Sequence, residues 1–408
     1  MITDIKLDEN IDKQVADRAI MAHKGDGNME RLQETLEAIF MDLHRHPELG
    51  KEEVRTTARV KELLGERNIA IVEHDVPTGV LANIGDPSGP VIALRADMDA
   101  LPVTEETGLP YASEIPGKMH ACGHDFHTTA LLGAAMLLKE REDTLAGQVR
   151  LIFQPGEEIN YGAQALLDTG KLSDVREFYG LHTDPNLDVG TLGIRPGPIM
   201  ASPDRFKVRI TGKGGHGAEP QSCIDPVPCM ASMILALQQV VARRISPISA
   251  CVLSITRAVS GNTWNVTPEH AEIEGTLRTM TDTERDLGER VLRETAASVA
   301  KAYDCNAEIT YLRQSRPLVN SPEQTAFADR VGRELGFTVI AQEMSMIGED
   351  FAMYLKDKPG CFVRVGTGKG PILHHPQFVA DRRALARTSE YLATLAQRRL
   401  AYLRTLEE

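Results

Sequence analysis

The sequence predicts an α/β chain with a smaller α+β domain inserted into it. Three observations lead there. Runs such as 91–94 and 148–153 are apolar throughout rather than alternating, as strands covered on both faces are. Over 202–315 the texture changes to alternating strands in the order β-α-β-β-α-β, a ferredoxin-like pattern. After Arg316 the buried-strand runs and long helices return. The expected division is therefore 1–201 plus 316–408 for the main domain and 202–315 for the insert.

The first 35 residues are charged and loosely periodic, and read as a helical or partly mobile lead-in. Leu32, Leu36, Ile39, Phe40 and Leu43 fall at helical spacing. That helix should stop near His46-Pro47, because the residue before proline disfavours the α region. A second helix is expected over 52–66, then strands at 79–84, 91–94 and 148–153. Helices at 128–139 and 162–168 accompany them, with a short buried strand at 178–181. The insert should run strand 206–210, helix 226–244, strands 250–256 and 271–278, helix 281–302 and strand 307–312. A buried strand at 361–365 and a helix at 385–406 close the main domain.

Composition excludes several function classes. The 408 residues are 42% hydrophobic and 25% charged, as in ordinary globular proteins. A net charge of −13 with no Lys/Arg-rich run argues against a nucleic-acid partner, which needs a basic face. Only 5% are aromatic, too few for a base-stacking platform. The N-terminus shows no secretory leader and no apolar run reaches the ~18 residues of a membrane span, so no membrane partner is expected. Six cysteines are too sparse for a disulfide scaffold, so a cytoplasmic location and mostly core thiols are expected.

Five segments gather metal-capable side chains at strand ends, where open α/β sheets bind ligands. Arg95–Pro102 holds Asp97 and Asp99, two carboxylates that can face one way off a strand. Met119–Thr128 packs His120, Cys122, His124, Asp125 and His127 into eight residues, with Gly123 allowing close backbone approach. Gln154–Glu158 places Glu157 and Glu158 at a corner, where adjacent acids should point apart, one to a metal and one to a water. His182 ends a buried strand, and His374-His375 precede a proline. Alone, each segment also fits turn acids, helix N-terminal acids or a core histidine. Together they fit a two-metal hydrolytic site, with ions ~3.5–4 Å apart. Thiolate and imidazole suit zinc, and carboxylates extend the choice to manganese or cobalt. In the insert, Gly212–Pro220 presents His216, a polar loop presents Asn265, and a strand ends in Arg278, suited to a carboxylate.

The ordered set His44–Leu49, Arg95–Val103, His120–Asp125, Gln154–Glu158, Gly180–His182, Gly212–Pro220, Asn265–Pro268, Gly275–Arg278, Gly348–Phe351 and Leu373-His374 resembles the metallo-amidohydrolases related to hippurate hydrolase and auxin-conjugate (IAA-amino acid) hydrolases. These lie within the wider aminoacylase and carboxypeptidase metallopeptidase group, and the likeness runs from about residue 36 to 400. The resemblance implies a mixed-sheet dinuclear metallohydrolase domain with an inserted dimerisation or lid domain. It implies Cys122, His124, Glu158, His182 and His374 as ligands of two divalent ions, Glu157 as general base and Asp99 as a carboxylate steadying a ligand. It implies His216 as an oxyanion-steadying group, in this family often reaching across a homodimer, and Asn265 and Arg278 as substrate-binding residues. The expected reaction is hydrolysis of an N-acyl amino acid to a carboxylic acid and a free amino acid. Alternatives on the same site are a dipeptidase or carboxypeptidase, an arylamine-releasing hydrolase, or a non-catalytic binding protein. Asp97 stands where the wider group often has a ligating His; Phe126, Trp264 and Thr267 also depart from the pattern and bear on the substrate pocket.

Overall fold

The computed structural model describes residues 26–407. The lead-in expected over the first 35 residues falls outside them except for 26–35, which are helical. The main domain begins with helices α1 (Asp26–Arg45) and α2 (Val54–Gly65) and strands β1 (Ala70–Val72), β2 (Val80–Gly85) and β3 (Val91–Asp97). Helix α3 (His124–Glu140), β4 (Gln148–Gln154), α4 (Gly162–Asp168), β5 (Glu177–Asp184), β6 (Thr191–Ile194) and β7 (Gly197–Met200) follow. The chain then runs through β8 (Ser202–Thr211), β9 (Gly215–His216), α5 (Pro226–Leu237), β10 (Cys251–Ser260), β11 (Val266–Thr267), β12 (His270–Thr279), α6 (Asp282–Ala302) and β13 (Asn306–Leu312). It ends with β14 (Leu318–Asn320), α7 (Pro322–Glu334), β15 (Thr338–Ala341), β16 (Gly360–Gly366) and α8 (Leu385–Thr405).

Eight strands form one mixed sheet in the order β1-β2-β4-β3-β5-β16-β6-β15. Its centre, β4-β3-β5-β16, is parallel, so four carboxyl ends open on one edge. β3, β4 and β16 bury every residue, which is why their sequences read as mostly apolar runs broken by a few buried polar and charged residues such as Arg95, Arg150 and Arg364. Helices α1, α3 and α8 cover one face: Leu36, Phe40, Leu131, Leu138, Leu392 and Leu400 join the strand side chains in one apolar cluster. A second cluster on the other face includes Phe178, Phe351, Tyr354 and Phe362.

Segment 202–312 forms its own antiparallel sheet, β10-β12-β8-β13, the ferredoxin-like order. Its inner face packs Phe206, Val208, Ile273 and Leu277 against Met233, Leu237 and Leu292 of α5 and α6. Its outer face carries Arg205, Lys207 and Arg257 paired with Glu272 and Glu274, so the alternation read in the sequence separates core from water. Buried Asp204 ties the sheet's end together: it accepts from Arg285 Nε at 2.8 Å, Tyr311 Oη at 2.9 Å and the Gln314 amide at 3.2 Å.

Three expectations need correction. The single helix expected over 226–244 stops at Leu237, and Val240–Arg244 forms a π turn with Ile245 N–H donating to Val240 O at 3.2 Å. Strands β1, β6, β7, β14 and β15 were not expected; at three or four residues each they are too short to show a period. Cys229, Cys305 and Cys361 are buried, but Cys223 and Cys251 are only partly so, which removes them from the expected core thiols. Among the described residues no helix is long and apolar enough to cross a membrane.

Candidate metal centre

The site forms on the carboxyl edge of the parallel strands. β3 ends at Asp97 and continues to Asp99; β4 leads into Glu157 and Glu158; β5 carries His182. Cys122 and Gly123 immediately precede α3, whose first residue is His124. Gly123 has φ +83°, and a Cβ there would lie 2.7 Å from Thr183 Oγ1, so only glycine lets this loop sit against β5. Thr183 Oγ1 donates to Cys122 O at 3.1 Å, locking the same approach. His374 arrives on a distant loop with φ +66°, a conformation costing of order 1–3 kcal/mol in a non-glycine residue. Its N–H donates to Ala121 O at 2.8 Å, which seats the loop beside Cys122.

These elements bring five of the expected residues together. Cys122 Sγ lies 3.3 Å from His182 Nε2. His124 Nε2 is 3.9 Å and His374 Nε2 3.3 Å from Glu158 Oε1. The donor atoms of Cys122, His124 and His182 lie within 4.8 Å of one another, as do those of Cys122, Glu158 and His374, and those of His124, Glu157 and Glu158. His124 Nε2 and Glu158 Oε1 are buried without a hydrogen-bond partner. Leaving such atoms unpaired is costly, so a cation between them satisfies both. Thiolate, imidazole and carboxylate donors in overlapping sets fit divalent metal ions. His374 and His375 are both exposed, but only His374 shares a group of donor atoms with Cys122 and Glu158 among the described residues, whereas His375 Nδ1 accepts from the Gln377 amide at 3.1 Å.

Asp99 holds the corner: its two oxygens accept from the Glu157 and Glu158 amides, each at 3.0 Å, and Oδ1 lies 3.3 Å from His124 Nδ1. The adjacent acids do not point fully apart, because each brings an oxygen near His124. They differ in what lies behind them. Glu158 faces Cys122 and His374, whereas Glu157 Oε1 accepts from the Asp350 amide at 3.3 Å beside Glu349. Burial first, then the charges of Glu349, Glu158 and Asp350, push the Glu157 carboxyl well above the usual range. Burial and Glu158 likewise raise the Cys122 thiol, while burial and Arg364 hold His182 well below the usual imidazole range.

A layer of charge that the sequence reading left without roles lies beneath. Asp97 accepts from His127 Nδ1 at 2.6 Å and Arg95 Nη1 at 2.8 Å, and its Oδ2 stands 3.6 Å from His124 Nε2. Arg95 also reaches Asp350 at 2.8 Å and Gln154 at 2.9 Å, all buried. The signal for Glu349 and Asp350 was their motif alone. Phe126 lies in the main core with no exposed surface, so it shapes the packing under the site rather than a substrate pocket.

The insert's residues lie elsewhere. His216 lies on β9 opposite Val266 of β11, and exposed Asn265 immediately precedes β11, where Gly217 N–H donates to Asn265 O at 2.9 Å. Among the described residues, neither has a hydrogen bond or ion pair to the metal-capable cluster. Arg278, half-buried at the end of β12, donates from Nε to Thr276 Oγ1 at 3.0 Å, and Nη1 approaches Met346 O at 3.5 Å. Among the described residues no carboxylate pairs with it.

Residues 93–398 match the model of peptidase family M20/M25/M40. The chain is 46% identical over 359 residues to an N-acetylcysteine deacetylase of Bacillus subtilis, covering 87% of this chain and 94% of the relative. It is 38% identical over 369 residues to an IAA-amino acid hydrolase (ILR1-like 5) of Arabidopsis thaliana, covering 88% and 85%. Among solved structures it is similar to a Bacillus subtilis protein described as a dinuclear metal-binding peptidase of the M20 family. That likeness has a TM-score of 0.84 and 41% identity over 91% of this chain and 99% of the other.

Proposed function

The chain belongs to peptidase family M20/M25/M40, and from that premise we propose that it is a metal-dependent amidohydrolase cleaving N-acyl amino acids to a carboxylic acid and a free amino acid. The observation that carries this reading is the pair of adjacent acids: half-buried Glu158 among the metal-capable donors, and buried Glu157 beside them with a raised proton affinity. A binding protein has no use for the second acid. Relatives named as a deacetylase of N-acetylcysteine and a hydrolase of IAA-amino acids support the substrate class.

In this reading Cys122, His124, Glu158, His182 and His374 hold two divalent ions, zinc, manganese or cobalt. When bound, such ions polarise the scissile carbonyl and make water a stronger nucleophile. Glu157 takes the proton of the attacking water and returns it to the leaving amine. Its acidic neighbours suit that role by keeping its proton affinity high, and the Asp350 amide fixes its orientation. Asp99 keeps His124 and the acid corner in register. Arg278 receives the substrate carboxylate.

His216 steadies the oxyanion, with Asn265 beside it on the substrate. Both are exposed and unconnected to the cluster of their own chain, which supports a homodimer through the insert, each copy lending His216 to the other. The edge strand β10 exposes Val252 and Val259, and Trp264 near it is 94% exposed, an apolar face suited to a partner. The free cysteines support a reducing, cytoplasmic setting.

The test is a panel of N-acyl amino acids, dipeptides and arylamides given to metal-stripped protein reloaded with zinc, manganese or cobalt. Metal-dependent release of amino acid, fastest from the N-acyl amino acids, is expected. Preference for dipeptides or arylamides, or tight binding without turnover, would displace the reading.

A further inference from the structure

The segment Met346–Glu349 spans the two ends of the proposed substrate site. At one end Met346 O faces Arg278 Nη1 at 3.5 Å. At the other, Glu349 lies 3.0 Å from Arg95 and shares a cluster with Glu157. Between them the backbone is held against the base of the insert. Ala201 N–H donates to both Ser345 O and Ile347 O at 3.1 Å, and Ile347 N–H donates to Ser345 Oγ at 3.2 Å. Gly348 is pressed on Pro203, which a Cβ would meet at 2.6 Å. Backbone and glycine thus occupy the side facing the insert, yet the Ile347 side chain is 55% exposed. A large apolar side chain on a pinned loop, left more than half exposed, stands where a ligand can cover it.

The geometry points to Ile347 as a specificity-determining residue that forms an apolar wall for the side chain of the amino-acid half of the substrate. This rests on the amidohydrolase reading. In an N-acyl amino acid the carboxylate, Cα and amide nitrogen are joined in sequence. With the carboxylate at Arg278 and the nitrogen receiving its proton from Glu157, the Cα side chain falls in the interval that Ile347 occupies. The substrates selected are N-acyl amino acids with apolar side chains.

The experiment measures kcat/KM of metal-reloaded wild type, Ile347→Ala and Ile347→Lys on N-acetyl-leucine, N-acetyl-alanine and N-acetyl-aspartate. In Ile347→Ala the leucine-to-alanine ratio should fall roughly tenfold, mainly through KM, because the lost contact is apolar burial. In Ile347→Lys the aspartate-to-leucine ratio should rise by at least that factor. Ratios within twofold of wild type in both variants overturn the assignment while leaving the amidohydrolase reading standing. A wild type that hydrolyses none of the three, and no other N-acyl amino acid, overturns both.

Discussion

The carboxyl edge of the main sheet and the β9-β11 pair of the insert both carry histidines expected to act in one reaction, yet they are built in opposite ways. On the sheet edge His124 and His182 are buried, their surroundings are pinned by Gly123, Thr183 and Asp99, and their donor atoms converge. On the insert His216 is exposed, and its Nδ1 accepts from the amide of Ala218, two residues on. Metal chemistry requires a preorganised cage, because misplaced donors bind poorly. Groups that meet the substrate must instead let it in, so they can come from an element that moves or from a second copy. One region gathers its metal-capable donors within a chain; on the proposed reading the other acts only when substrate or a second copy is brought to it.

The sharpest way to break that contrast is at the acid on the sheet edge. Glu157→Gln should lower kcat by about 10²–10⁴-fold with bound metal unchanged. Loss of metal in this variant would make Glu157 part of the cage rather than a proton carrier. On the insert, His216→Ala should lower kcat by about 10²–10³-fold with metal retained. Mixing the two inactive variants under subunit exchange should restore about a quarter of wild-type activity, since half the dimers then carry one intact site. No recovery on mixing would confine His216 to its own chain. A smaller effect is expected where the two regions meet: Arg278→Ala should raise KM by about 10–100-fold, the worth of a charged hydrogen bond, with kcat least affected. A drop in kcat alone would assign Arg278 to the transition state.

The smallest effect concerns support for the buried region. Burial disfavours a charge on His44, but Asp125 at 2.6 Å and Glu105 at 3.3 Å outweigh it and lift its pKa from 6.5 to about 10. A raised folded-state value means that this network contributes fully below pH 6.5 and is lost as pH rises through about 10. Hydrogen exchange compared at pH 6 and pH 10, corrected for intrinsic rate, should show amides of α3 losing protection relative to those of β8 and β12. Equal loss in both domains would remove His44 from that role.

Much of this was legible in the sequence for identifiable reasons. The runs at 91–94 and 149–153 are dominated by apolar residues because both faces are covered, Arg150 being the buried exception, and the insert's strands alternate because one face meets water. The segments holding Cys122 and His124, Glu157 and Glu158, His182, and His374 and His375 were legible because strand ends and flanking loops concentrate unusual donors, while the choice of ligands among them came from the family resemblance. The short strands β6, β7, β14 and β15 were not legible, since three or four residues cannot display a period. The ion network of Arg95, Asp97, His127 and Asp350 was hidden for another reason. Its members lie up to 255 positions apart, and nothing local marks a charge that will be neutralised from afar.

Residue chemistry and local periodicity alone determined the two kinds of sheet, the insertion and the identity of the metal-capable side chains. Each follows from interactions within a few residues or from whether a face is wet. Only the tertiary structure decided that His374 rather than His375 faces Glu158, that Glu157 rests among acids while Glu158 faces a histidine, that Phe126 is core, and that His216 lies away from its own cluster. Those outcomes depend on how distant segments dock, which is set by packing across the whole sheet rather than by any neighbour in the chain.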